Sequence, residues 1–197
     1  VFHQESTMAL LILGIVLFLG SHSLKIVPSV RAGLIGSLGE KPYRALDSAA
    51  ALLGLVLIAW GFHTYRAEGW VQIWTPPVWT RHLSITLMWF AFVALAASGP
   101  KPSRIRGWLR HPMVTAVKIW ALAHLLVNGD LGSILLFGSF LAWAVMDRIS
   151  LKRRGDFGAP RLDHFTRTDA TTVLFGTIAY VAFMFLHPYL IGVAVIG

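Results

Sequence analysis

RHPMVTAVKIWALAHLLVNGD, residues 110–130, decides how this chain is read. From Pro112 to Asn128 the run is mainly apolar, yet it carries the cation Lys118 and the imidazole His124. A membrane span needs about 20 mainly apolar residues, and this stretch comes close. A charged or ionisable group at that depth costs free energy and usually marks a functional site. Lys118 and His124 are therefore expected to hold something.

The rest of the chain fits a membrane setting. Of its 197 residues 56% are hydrophobic and only 13% charged, with a mean hydropathy of +0.66. An ordinary soluble domain carries about 25% charged residues. With no cysteine, structural disulfides, iron–sulfur clusters, thiolate-ligated haem and CxxCH haem attachment are all excluded. Any metal or cofactor must hang on His, Met, Tyr, carboxylate or backbone groups. The formal charge of +8 does not call for nucleic acid, because the basic residues fall between apolar runs, where membrane topology explains them. VFHQEST, residues 1–7, precedes Met8 and reads as a cloning remnant, so it and His3 are set aside. Residues 8–197 read as a single transmembrane domain. MALLILGIVLFLG has neither a basic leader nor an AxA-type cleavage site, which favours a retained span over a signal peptide.

Six apolar runs, 8–27, 45–65, 81–98, 112–128, 131–149 and 170–191, are expected to span. Pro28, the GPKP at 99–102 and the NGD at 128–130 fall between runs, where Pro and Gly stop helices. Fourteen of the seventeen Lys and Arg residues lie in connections one, three and five: Lys25, Arg31, Lys41 and Arg44; Lys101, Arg104, Arg106 and Arg110; Arg148, Lys152, Arg153, Arg154, Arg161 and Arg167. Connection two has only Arg66 and Arg81, and connection four has none. The positive-inside bias then puts loops one, three and five in the cytoplasm and both termini on the opposite side. The expected fold is an all-α integral membrane protein, a six-transmembrane-helix bundle.

Histidines sort by depth in this frame. His111 lies at the cytoplasmic mouth of span four and His164 in a cytoplasmic loop. His63, His82 and His187 lie near outer span ends, as interfacial imidazoles or as a small metal cluster. His22, in LFLGSHSLKI, and His124 lie within spans one and four. At about 1.5 Å of rise per residue they differ by only several Å in nominal depth. Two imidazoles on different spans can grip one metal ion or a planar cofactor, or can simply be hydrogen-bonded to neighbouring helices. A closed zinc site wants four ligands, while Asp47 and Asp147 sit near cytoplasmic ends. The ligand count favours a metal that brings its own equatorial ligands, as haem does, and imidazole is a normal axial ligand for haem iron.

Haem also needs cations for its two propionates. Lys25, three residues after His22, falls on the same helical face and can snorkel to the interface. Lys118, six residues before His124, lies on the cytoplasmic side, and Arg44 and Arg110 sit at the same boundary. The His124 face also holds Met113, Val117, Trp120, Ala121 and Asn128. Ala121 leaves room for a ring edge, Trp120 can pack on a macrocycle, and Asn128 can hydrogen-bond the other ring nitrogen of His124.

GSHS in span one, KPYRALDSAAALLG entering span two and RHPMVTAVKIWALAHLLVNGD together resemble the NnrU family of membrane proteins, which includes plant and cyanobacterial 15-cis-zeta-carotene isomerase. The resemblance covers residues 8–150 and, more loosely, the last span. It implies haem b held by two histidines, matching His22 and His124. The isomerase branch is understood to change axial ligation with redox state through a cysteine one turn before the second histidine, and Ala121 stands there in this chain. The bacterial branch takes its name from a genetic link to nitrite and nitric oxide reduction, which implies a bacterial inner membrane.

Two functions compete. One is a haem b-dependent membrane isomerase acting on a lipid-soluble polyene or isoprenoid, with His22 or His124 as the displaceable ligand. The other is a non-enzymatic haem accessory or sensor for nitric oxide reduction, its diatomic ligand arriving through lipid. A third reading, a membrane methyltransferase, rests on Arg110-His111-Pro112, a tripeptide that also helps bind S-adenosylmethionine. It lacks the acidic pair expected near the C-terminus.

Overall fold

A computed structural model describes residues 2–195, with side chains from Thr7 onward; the side chain of His3 lies outside that description. Among the described residues there are eight helices and no strand. They are α1 (Phe2–Ser23), α2 (Pro28–Leu38), α3 (Glu40–Ala67), α4 (Trp79–Ala96), α5 (Arg104–Leu109), α6 (Pro112–Leu125), α7 (Leu131–Arg153) and α8 (Arg167–Ile191). Each of the six expected runs falls on a helix. Three, α3, α7 and α8, are long and apolar enough to cross a membrane, and α1 with α2 make a fourth span only if that pair counts as one. At 14 residues, α6 rises about 21 Å, short of a hydrocarbon layer of about 30 Å. On α8 the side chains of Phe175, Phe185 and Leu190 are 63%, 60% and 61% exposed, so its outward face is as apolar as lipid requires.

Two departures from expectation have local causes. Span one stops at Ser23 rather than running to residue 27. Three consecutive side chains there bond back to helix carbonyls: Ser21 Oγ and His22 Nδ1 to Phe18 O, each at 2.8 Å, and Ser23 Oγ to Leu19 O at 2.6 Å. A turn follows, and Pro28 then opens α2 at a bend of 90°, because the first helical turn is where a missing N–H is harmless. Connection three also holds a short helix, α5, whose charged residues hid it from a hydropathy reading.

The chain divides into two compact units, one of residues 1–75 with 129–147, the other of 76–128 with 148–197. In the first, α1 and α3 run antiparallel in backbone contact. A Cβ at Gly54 would stand 2.6 Å from Phe18 N, and one at Gly61 would stand 2.5 Å from Leu11 N. The first part of α7 joins them, with Gly132 against the fully buried Tyr65 ring and Phe140 5.5 Å from Phe18. Connections two and four are stitched together by Ile73 N and Trp74 N donating to Gly129 O, and by Leu131 N donating to Val71 O.

In the second unit α4 packs on both α6 and α8. Trp89 Nε1 donates to Thr177 Oγ1 at 3.0 Å, and Tyr180 OH donates to Ile85 O at 3.2 Å. Connections three and five are joined through Asp169, which is 3% exposed. Its carboxylate accepts from Arg104 N and Ile105 N at the start of α5, and from Thr166 N and Thr166 Oγ1 at the start of α8. One side chain thus caps two helices. Asp169→Ala is expected to cost about 2–4 kcal/mol, the sum of two lost caps. Thermal unfolding in detergent should register that loss, and Thr171→Ala, at an exposed position, should leave it unchanged.

Candidate functional site

His22 closes the last turn of α1, half-buried. Its ring stacks on Phe18 at 4.3 Å and 23°, and meets Trp143 of α7 edge-on at 5.9 Å. Nδ1 lies 2.8 Å from Phe18 O. A carbonyl oxygen only accepts, so Nδ1 carries the proton, and the neutral ring has its lone pair on Nε2. His124, half-buried in the last turn of α6, repeats this arrangement: Nδ1 lies 2.8 Å from Trp120 O. Helix geometry produces the match, since the carbonyl four residues back lies under the imidazole. Metal-ligating histidines characteristically tie off their other ring nitrogen to a carbonyl or carboxylate. Each ring by itself is therefore arranged to offer an Nε2 lone pair to a metal.

The neighbours depart from expectation in several places. Asn128 Nδ2 donates to the main-chain oxygen of His124 at 2.8 Å. It does not touch the ring, because Trp120 O already holds Nδ1. Ala121 is wholly covered, at 0% exposure, so the room expected beside it is taken by protein. Trp120 does lie against His124, with ring centroids 5.3 Å apart. Lys25 lies beyond the end of α1, so the shared helical face with His22 is lost, and its side chain is exposed. Arg44, exposed on α3, pairs with Glu40 at 2.5 Å. Arg110 ends α5 at φ 64°, and its carbonyl accepts from Ala159 N at 2.9 Å. Lys118 is half-buried on α6, close enough to Arg148 for the two charges to act on each other.

Three of the remaining histidines bond locally. His111 Nε2 lies 3.2 Å from Asp156 O, so the Arg110–Pro112 turn ties connection three to connection five. His187 Nδ1 lies 2.7 Å from Val193 O. His164 bonds the Asp163 carboxylate at 2.8 Å, holding that carboxyl below its usual range, and both side chains are open to solvent. Among the described residues no group of three or more His, Cys, Asp or Glu gathers to hold a metal ion. That gives a cluster of His63, His82 and His187 no support, and it leaves a two-ligand haem site untouched. Two cavities of the second unit, lined by Lys101, Thr171 and Phe175 and by Ile105, Phe165 and Asp169, contain none of the expected site residues.

Sequence reasoning missed Trp143 and Phe18, which enclose the His22 ring. A polar-handled aromatic near the basic end of an apolar helix was the available signal for the first. It also missed Asp169, whose partners on α5 lie 64 and 65 residues away.

An all-helical chain with helices of spanning length and composition is a membrane protein. The NnrU protein family model matches residues 10–195, nearly its whole length, and the chain belongs to that family. No curated protein and no solved structure matches it.

Proposed function

We propose that this is a haem b-binding protein of a bacterial inner membrane, in which His22 and His124 would hold the iron. The observation that carries the reading is the repeated Nδ1–H···O=C bond at 2.8 Å, which leaves each ring its Nε2 lone pair. A six-span topology with loops one, three and five in the cytoplasm goes with it. Its support is that connections three and five, rich in Lys and Arg, are bonded to each other, as are connections two and four, which are poor in them. Trp120 would flank the bound ring. Lys118 would meet a propionate, with Lys25 and Arg110 as further cations, while Arg44 is taken up by Glu40.

Haem, when bound, would supply redox-active iron. The activity proposed with it is a redox-dependent cis–trans isomerisation of a lipid-soluble polyene or isoprenoid, with His22 or His124 as the ligand that leaves. A non-enzymatic accessory or sensor role in nitrite and nitric oxide reduction is the second reading. Ala121 favours it, since a methyl group offers no third ligand one turn before His124.

The test is the visible spectrum of the purified protein, oxidised and dithionite-reduced. A Soret band of low-spin, bis-imidazole type is expected; its absence even after haem supplementation overturns the proposal. Turnover of a polyene would favour the isomerase, and tight nitric oxide binding without turnover would favour the sensor. Lys118→Gln is expected to release haem about tenfold faster than wild type, for the loss of one charge-assisted contact. Arg167→Gln, exposed at the start of α8, should release it at the wild-type rate.

A further inference from the structure

Trp143 Nε1 is buried and has no hydrogen-bond partner among the described residues. Other indoles of this chain do find acceptors: Trp89 on Thr177 and Trp70 on Gln72, both at 3.0 Å. A desolvated N–H without an acceptor is a standing cost, and phenylalanine would fill much of the same volume without it. The donor therefore needs a reason, and its position supplies one. The indole stands edge-on to His22 at 5.9 Å and 86°, while Phe18 covers the imidazole by stacking.

We infer that Trp143 donates a hydrogen bond to a carboxylate of the porphyrin ligated by His22. The inference rests on the haem reading and deepens it. The edge of protohaem is hydrocarbon except for two carboxylates, so those are its peripheral acceptors. Both residues also sit at the polar end of their helices: His22 in the last turn of α1, and Trp143 four and five residues before Asp147 and Arg148 on α7. That is the end at which carboxylates would emerge. Arg44, expected there from the sequence, is paired with Glu40 instead. An indole N–H on a carboxylate is charge-assisted and stronger than a neutral pair.

The test uses the full chain in lipid nanodiscs, loaded either with haem b or with its dimethyl ester, which lacks the carboxylate charges. Haem release to excess apomyoglobin is compared for wild type, Trp143→Phe, and a protein in which Trp143 is replaced by 3-benzothienylalanine, an isostere without the N–H. Both variants are expected to release haem b about tenfold faster than wild type, with low-spin spectra retained and no difference for the ester. Release of haem b at the wild-type rate overturns the inference, as does an equal acceleration with the ester, which would mean ring packing alone. A wild type that takes up neither porphyrin overturns the haem reading along with it. Retention by wild type without any effect of the isostere overturns only the role of Trp143.

Discussion

Replacing His22 or His124 by alanine is expected to convert the low-spin bis-imidazole spectrum to a high-spin, five-coordinate one and to weaken haem retention more than about 100-fold. Loss of an outer-shell partner of a metal-bound imidazole typically costs 10–100-fold, and loss of the ligand itself must exceed that. Free imidazole added to either variant should restore the low-spin spectrum if the rest of the site is intact. The control is His164→Ala, because that ring is exposed and bonds the neighbouring Asp163. Unchanged spectra in both single variants would mean that the two rings do not ligate iron. Because each Nδ1 is tied to a main-chain carbonyl of its own helix, Asn128→Ala should move neither the spectrum nor haem retention by as much.

The second large effect concerns the contact of α1 with α3. A Cβ at Gly61 would meet Leu11 N at 2.5 Å and Leu11 Cα at 2.8 Å, and one at Gly54 would meet Phe18 N at 2.6 Å. These are backbone atoms that cannot rotate away, so the two helices must part. Glycine to alanine in a helix interior ordinarily gains up to about 1 kcal/mol. Here overpacking of about 1–3 kcal/mol opposes it. Gly61→Ala is expected to lose up to about 2 kcal/mol net, and Gly61→Leu to abolish the folded unit. Gly20→Ala, on the facing helix α1 with nothing within 4 Å of the added carbon, should be neutral or slightly stabilising. Thermal unfolding in detergent separates the three. Gly54→Ala carries a further consequence, since its neighbour Phe18 both stacks on His22 and accepts the Nδ1 hydrogen bond. Its haem spectrum should broaden along with the loss of stability, whereas Gly61→Ala, which presses on Leu11 at the far part of α1 from His22, should affect stability first.

What could be read from the sequence follows physical range. Hydropathy over 20 residues is a local property, and it located all six major helices. It overstated α6, where Pro112 and the turn after Leu125 leave 14 residues in a run expected to hold seventeen. It missed α2 because Pro28 was taken only as a stop, although proline serves equally well as a first helical residue. The Nδ1 bonds of His22 and His124 run to the carbonyl four residues back, so they were within reach of a helical reading, yet Asn128 was expected in that role. Trp143 and Asp169 depend on which helices become neighbours. No local pattern specifies that His22 will face an indole from α7, or that a residue of α8 will accept from the amides of α5.

The double cap at Asp169 also bears on how the chain is built. Ribosomes deliver α5 before α8, so the amides of Arg104 and Ile105 emerge some 65 residues ahead of the carboxylate that receives them. Until the last long helix arrives, the short one lacks that acceptor and, at six residues, is too brief to persist alone. The third connection is therefore completed late in biogenesis, and any nascent chain stalled before residue 169 would carry it unfinished.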